Sequence, residues 1–293
     1  MLDAPILLIG FNRPDLLKKR VQEISKMNIR NLYVSIDGGS QSNTVEMLKL
    51  VKSIPNYFSN HVNISVTHQK YNLGLTKHVT ESISAILQVH SNIIVVEDDI
   101  SLSKNFYDNM NLGLSTLNSN NTLGTVSSLS ALNYSGRIYP KNKWRKTKYF
   151  FCWGWGCSRE TWNRYRVDLS RVDLESELKS SLLWKDLSNH QKAVWISRFN
   201  RVKNNPTYTW DIQMQYASFL FNFTNLAPVF RFSNNEGFND IRATHTKKSK
   251  PGWLRNDIKN DHILKTSIKS KKINKLIETL DSIIIATDIK FLK

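Results

Sequence analysis

Three consecutive acids, Glu97, Asp98 and Asp99, follow directly on Ile93-Ile94-Val95-Val96. A run of β-branched aliphatics reads as a central strand covered on both faces. Acids inside a core would be costly, but at the carboxyl end of a parallel strand they fall in the crevice where open α/β sheets bind ligands. Carboxylates crowded there repel one another unless a divalent cation neutralises them, and hard oxygen donors suit Mn²⁺ or Mg²⁺. The plainer alternative is a strand end that emerges into solvent.

Other strand-end loops carry groups suited to the same ligand. Phe11-Asn12-Arg13-Pro14 follows a first apolar run, Asp37-Gly38-Gly39 a second, and Asn72-Leu73-Gly74-Leu75 lies near a third. Arg13 could pair bidentately with a phosphate, and Asp37 could accept hydrogen bonds from a base or ribose. Each also has an ordinary local role: Arg13-Pro14 starts a helix and Asp37-Gly38-Gly39 makes a turn. Together they point to one face of one sheet.

The elements that would position these groups alternate. Strands are expected at Ile6–Ile9, Leu32–Ile36, Asn63–Val66 and the acidic strand, with helices over Pro14–Lys26, Thr44–Val51 and Thr76–Val89. Such alternation implies an α/β layer structure with a mostly parallel sheet flanked by helices. Residues 1–125 would form a nucleotide-binding part and 126–246 a second part, followed by a basic tail over 247–293. In that tail Ile273, Leu276, Ile277, Leu280 and Ile284 fall at helical spacing. Helical regions are also expected over Leu174–Val202 and Tyr208–Phe221. Between them and the first half lies a basic loop, with Arg137, Lys141, Lys143, Arg145, Lys146 and Lys148 and no acid. It runs into Phe150-Phe151-Cys152-Trp153-Gly154-Trp155-Gly156, where glycines between large aromatics suit a strand whose backbone a ligand approaches closely. Trp153 and Trp155 could stack on an acceptor sugar or simply pack in the core.

Composition narrows the class. With 41 Lys+Arg against 24 Asp+Glu the formal charge is +17, which favours a polyanionic partner such as nucleic acid, anionic lipid or a phosphorylated substrate. Two cysteines, Cys152 and Cys157, are too few for a disulfide scaffold or a four-ligand zinc site, so a reducing, cytoplasmic compartment is expected. The apolar run at the amino terminus is too short for a signal peptide, and no stretch is apolar enough to span a bilayer. Any membrane contact is therefore expected to be peripheral, through the basic tail on an anionic surface.

In order along the chain, Phe11-Asn12-Arg13-Pro14, Ser35-Ile36-Asp37-Gly38, Asn72-Leu73-Gly74-Leu75, Val96-Glu97-Asp98-Asp99 and Trp153-Gly154-Trp155-Gly156 resemble a GT-A glycosyltransferase. The resemblance is strongest to bacterial surface-polysaccharide transferases related to the N-acetylglucosaminyltransferase I group, and covers about residues 4–246. It implies a Rossmann-like GT-A domain, a nucleotide-sugar donor (a UDP-sugar favoured), a divalent cation and an inverting transfer to an oligosaccharide or lipid-linked saccharide. Under it, Asp99 resembles the metal ligand on the donor diphosphate, and Glu97 and Asp98 the residues that hold ribose and sugar hydroxyls. Asp37 resembles the uracil or ribose contact, and Arg13 and Asn72 belong to donor loops. Lys77, with His78, stands where a basic residue meets the diphosphate, and His245 resembles a late histidine that reaches the metal. Asp211, in Thr209-Trp210-Asp211, resembles the base that deprotonates the acceptor; an acid there also suits a helix N-terminus. Glu160, its rival, fits the helix start at Ser158-Arg159-Glu160.

Other classes remain in view. A sugar-nucleotide nucleotidyltransferase shares the layered fold, but would call for a glycine-rich first loop where this chain has Gly10-Phe11-Asn12-Arg13-Pro14. A non-catalytic nucleic-acid-binding protein would explain the charge, yet the basic residues concentrate in the 137–148 loop and after Lys247, and no RRM, KH or zinc-finger signature is present. No nucleic-acid partner is expected.

Overall fold

The computed structural model describes residues 2–130, 144–238, 240–242, 263–264 and 281–282. Its centre is β1 (Ile6–Gly10), every residue of which is buried. β1 pairs in parallel with β2 (Asn31–Ile36) on one side, Ile6 opposite Leu32, and with β4 (Asn92–Glu97) on the other, Ile6 opposite Ile94. β3 (Asn63–His68) extends the sheet beyond β2, again in parallel.

The helices between these strands start where the sequence supplies a local reason. α1 (Pro14–Ile24) opens on a proline, whose fixed φ and missing N–H suit a first helical turn. α2 (Val45–Ser53) is capped by Thr44, whose Oγ1 accepts from Met47 N at 3.2 Å. α3 (Leu75–Val89) begins after Gly74, at φ +81°, a conformation that glycine adopts without a side-chain clash.

The second half adds β5 (Ile100–Leu102), α4 (Phe106–Asn118), β6 (Leu123–Ser127), β7 (Trp144–Thr147), β8 (Trp155–Ser158) and α5 (Arg159–Trp162). There follow α6 (Leu174–Leu178), α7 (Leu182–Lys185), α8 (Asn189–Asn204), α9 (Asp211–Leu220), β9 (Thr224–Pro228) and β10 (Ser233–Asn235). The sheet runs β3-β2-β1-β4-β8-β6-β9-β7, while β5 and β10 pair as a separate antiparallel ribbon. β8 is antiparallel to both β4 and β6, and β7 is antiparallel to β9; the remaining ladders are parallel. The result is a mixed α/β protein with a large, mostly parallel central sheet flanked by helices.

Two sequence expectations are corrected here. The aromatic-glycine run is a strand only from Trp155 onward, and what approaches its glycine is another strand: a Cβ on Gly156 would lie 2.6 Å from Ile93 O of β4. The region Leu174–Val202 divides into α6, α7 and α8, each with its own N-cap, Asp173, Ser181 and Ser188. Those caps accept from the backbone N–H three residues on, which restarts the helix each time.

Side-chain alternation along β1 splits the core. Ile6 and Leu8 join Leu17, Val21 and Ile94 on one face, while Leu7 and Ile9 join Val79, Ile83, Val95 and Trp155 on the other. A third cluster, with Tyr149, Trp184, Trp195, Phe199 and Phe219, fastens α7, α8 and α9 to the body.

The described part of the tail packs on that body. Leu264 is buried and its N–H donates to Asn109 Oδ1 at 2.8 Å. Asp281, fully buried, accepts from Arg145 Nη1 and Nη2 at 2.5 and 2.8 Å and from Thr147 Oγ1 at 3.0 Å. The helical spacing expected over residues 273–284 otherwise lies outside the described residues, as do Arg137, Lys141 and Lys143 of the basic loop. Among the described residues no helix is long and apolar enough to cross a membrane.

Candidate active site at the carboxyl edge of the sheet

Because β1, β2 and β4 run in parallel, the loops that leave them emerge on one edge, and these are the loops of Arg13, Asp37 and Glu97-Asp98-Asp99. β8 runs the other way, with Trp155 opposite Val95, so the residues that lead into it arrive at that same edge.

The acids are covered rather than solvated. Asp98 and Asp99 side chains are 3% and 9% accessible, and the Arg13 guanidinium bridges them, with Nη2 on Asp98 Oδ1 and Nη1 on Asp99 Oδ2 at 3.1 Å. Burial costs the Arg13 charge something, but the two carboxylates outweigh that and hold its pKa above the ordinary value. One oxygen of each acid, Asp98 Oδ2 and Asp99 Oδ1, is buried without a hydrogen-bond partner. Burial pushes the Asp98 carboxyl up to about 7 in spite of Arg13, with repulsion from Asp99 adding to it. Glu97 is raised well above the carboxylate range, first by burial and then by Asp99, Asp98 and, more weakly, Asp211. Asp99 is raised by burial against the pull of Arg13.

Behind Asp99 lies a support that the sequence did not announce. Glu236 N donates to Asp99 O at 2.7 Å, and Arg20, itself buried, reaches Glu236 Oε2 at 3.2 Å and Glu23 Oε1 at 3.1 Å. The next residue is Gly237, where a Cβ would fall 2.3 Å from Asp99 Oδ2 and 3.0 Å from Arg13 Nη1. A side chain there would displace the pair.

Asp37 is buried and organises backbone. Its Oδ1 accepts from Gly38 N and Leu73 N, both at 2.8 Å, and its Oδ2 from Gly74 N at 3.0 Å, so one carboxylate ties the β2 loop to the start of α3. Asn72 Oδ1 also accepts from Gly74 N, at 2.7 Å. Lys77 is exposed on the first turn of α3, 3.9 Å from Glu81. His78 points away into the core, with Nε2 2.8 Å from Ser35 Oγ, and burial lowers its pKa.

Asp211 is brought to the acid cluster. It is the first residue of α9, its Oδ1 accepts from Thr209 Oγ1, and Cys152 Sγ lies 4.0 Å from its Oδ2. The Cys152 thiol is pushed well up by burial and then by the charges of Asp211, Glu97 and Asp99. Glu160 instead sits on α5, capped by Ser158, and pairs with Arg164 at 2.9 Å.

The tryptophans separate. Trp155 is 0% exposed, packed against Phe150, Trp162 and Trp210, and offers no face on which a sugar could stack; its expected acceptor role is corrected to a core role. Trp153, half-buried, meets Phe238 edge-on at 5.9 Å. His245 lies outside the described residues.

Among the described residues no group of three or more His, Cys, Asp or Glu is arranged to hold a metal ion. The two orphaned carboxylate oxygens nevertheless fit a hard cation of the Mg²⁺ type, which binds through one or two carboxylates and takes its other ligands from water and substrate phosphates.

No family model matches the chain, and no curated protein matches it. Among solved structures it is similar to TarS of S. aureus, at 10% identity and a TM-score of 0.42 over 78% of this chain and 35% of that one. It is also similar to a UDP-glucose pyrophosphorylase complexed with UDP-glucose, at 10% identity and a TM-score of 0.38 over 78% of this chain and 91% of that one. The chain thus spans about a third of the length of TarS.

Proposed function

We propose that the chain is a metal-dependent, inverting glycosyltransferase that moves a sugar from a nucleotide-sugar donor, a UDP-sugar favoured, to a hydroxyl of a surface-polysaccharide or glycolipid precursor. The observation that carries this reading is the contact of Cys152 with Asp211 at the edge where β4 ends in Glu97, Asp98 and Asp99. A single displacement needs one base beside one diphosphate site, and the reading assigns Asp211 to the first and Asp98 with Asp99 to the second.

In this reading Asp211 takes the proton of the acceptor hydroxyl, while Thr209 and Cys152 hold its carboxylate in place. Asp98 and Asp99 would hold the cation, which would supply charge neutralisation for the diphosphate. Glu97 faces the ribose or sugar hydroxyls. The loop that Asp37 fixes, with Asn72 in it, forms the floor for base and ribose, and Arg13 and Lys77 bring positive charge to the phosphates. Trp153 lines the acceptor side. The basic tail, 247–293, would hold the enzyme at an anionic inner membrane face, near a lipid-linked acceptor.

The test is a panel of nucleotide sugars with Mn²⁺, scored by thermal stabilisation and slow donor hydrolysis. Stabilisation by one donor supports the reading. Response to none, with tight binding of RNA or DNA, overturns it. Synthesis of a nucleotide sugar from a nucleoside triphosphate and a sugar phosphate would replace it with nucleotidyl transfer.

A further inference from the structure

We propose that the Arg13 guanidinium is a resident counter-ion for Asp98 and Asp99, which a divalent cation must displace to reach those carboxylates. Arg13 thereby sets how tightly the site takes metal. The inference rests on the cation site of the transferase reading, but it concerns the protein before any donor arrives.

Accessibility supplies the first argument. Of the three side chains Arg13 is the most open, at 14%, against 3% and 9% for the acids it bridges. The Gly237 backbone flanks the contact that Arg13 makes, a Cβ there falling 2.3 Å from Asp99 Oδ2 and 3.0 Å from Arg13 Nη1, and Glu236 N fixes the Asp99 main-chain carbonyl. A cation coming from the crevice therefore meets Arg13 first.

Valence supplies the second. A planar guanidinium can bridge two carboxylates, and it does so here with one oxygen of each, leaving Asp98 Oδ2 and Asp99 Oδ1 buried and unpartnered. One positive charge thus faces two acids directly, and Glu97 feels all three groups. Arg20, the next guanidinium, directs Nη2 to Glu23 and Glu236 and acts on Asp99 only through its charge. A dication offers these oxygens twice the charge and no fixed fork, so it can compete with Arg13. The displaced side chain has acidic company in Asp240, whose carboxylate already feels the Arg13 charge.

The experiment needs no substrate. Full-length wild type, Arg13→Gln and Arg13→Lys are melted in EDTA and then titrated with Mn²⁺, with affinity read by calorimetry. Arg13→Gln should melt lower than wild type in EDTA, bind Mn²⁺ at least tenfold more tightly, and recover more melting temperature on adding Mn²⁺. Arg13→Lys keeps a charge but cannot bridge both acids, and should fall between the two. If Arg13→Gln does not fold in EDTA, refolding it in Mn²⁺ gives the same comparison, and Arg13→Lys carries the affinity ordering alone. Equal or weaker Mn²⁺ binding by both variants overturns the inference, as does the absence of Mn²⁺, Mg²⁺ or Ca²⁺ binding in all three proteins. Tighter metal binding by Arg13→Gln, in a protein that stabilises with no nucleotide sugar, keeps the inference and sinks the transferase reading.

Discussion

Cys152 Sγ stands 4.0 Å from Asp211 Oδ2, so a thiol from the segment leading into β8 touches the first residue of α9 at the edge where β4 ends in acids. Through this contact a residue of the second half becomes part of a site built on first-half strands. If Asp211 is the base, Asp211→Asn keeps the shape and most hydrogen bonds but cannot accept a proton. Transfer should fall about 10²–10⁴-fold with donor affinity unchanged. The melting temperature should move by the equivalent of about 1 kcal/mol or less, as for a residue at a helix start. Turnover, UDP affinity and melting of the variant check all three; near-normal turnover would move the base elsewhere.

The thiols should be inert. Burial pushes both Cys152 and Cys157 upward, and the acids around Cys152 push it further, so little thiolate forms at neutral pH. A thiol reagent at about pH 8 should label neither cysteine in the native protein and both after unfolding, as read by mass spectrometry. Rapid native labelling of Cys152 would mean that the thiol beside Asp211 is open to solvent.

Metal-free stability should fall as pH rises. The Asp98 carboxyl titrates at about 7 in the fold against an ordinary value of 3.8, so between those values the folded state binds more protons than the unfolded one. Its favourable contribution is complete below the ordinary value and is lost as pH climbs through about 7. Melting curves in EDTA should therefore show a decline over this window that is reduced in Asp98→Asn. An identical slope in the two proteins would remove the effect from Asp98.

The tail should be structural at Asp281. Breaking a buried ion pair by removing one partner typically costs about 3–5 kcal/mol, because it leaves the other charge buried and alone. Arg145→Met should destabilise by that order, and Arg145→Met with Asp281→Leu should recover much of it. Denaturant unfolding of the two variants reads the difference. A single variant as stable as wild type would detach Asp281 from the body.

The parallel half of the sheet was readable because its strands are buried on both faces and its helices carry apolar spacing and local starts such as Pro14 and Thr44. β8 was only half readable: Trp153 and Trp155 are the same residue type two positions apart, and only the place where pairing with β4 begins sends Trp155 into the core. β10, Ser233-Asn234-Asn235, has no strand signal at all and owes its form to pairing with β5. In the site, the acids and their edge were legible from Ile93 to Asp99. Arg13 on those acids was not, because the contact joins residues 86 positions apart. Nor was the hold of Asp37 on Leu73 and Gly74, since Asp-Gly reads as a turn wherever it occurs.

The central claim is that the acid pair and a divalent cation together hold the diphosphate of a donor. Calorimetry of UDP with and without Mn²⁺, on wild type and Asp99→Ala, tests it most directly. Asp99→Ala also takes one of its two carboxylates from Arg13, so the variant should melt lower than wild type while Asp98 still pairs with Arg13. The account predicts Mn²⁺-dependent UDP binding in wild type that Asp99→Ala loses at a temperature where circular dichroism shows the variant folded; unchanged Mn²⁺-dependent affinity in the variant would contradict it.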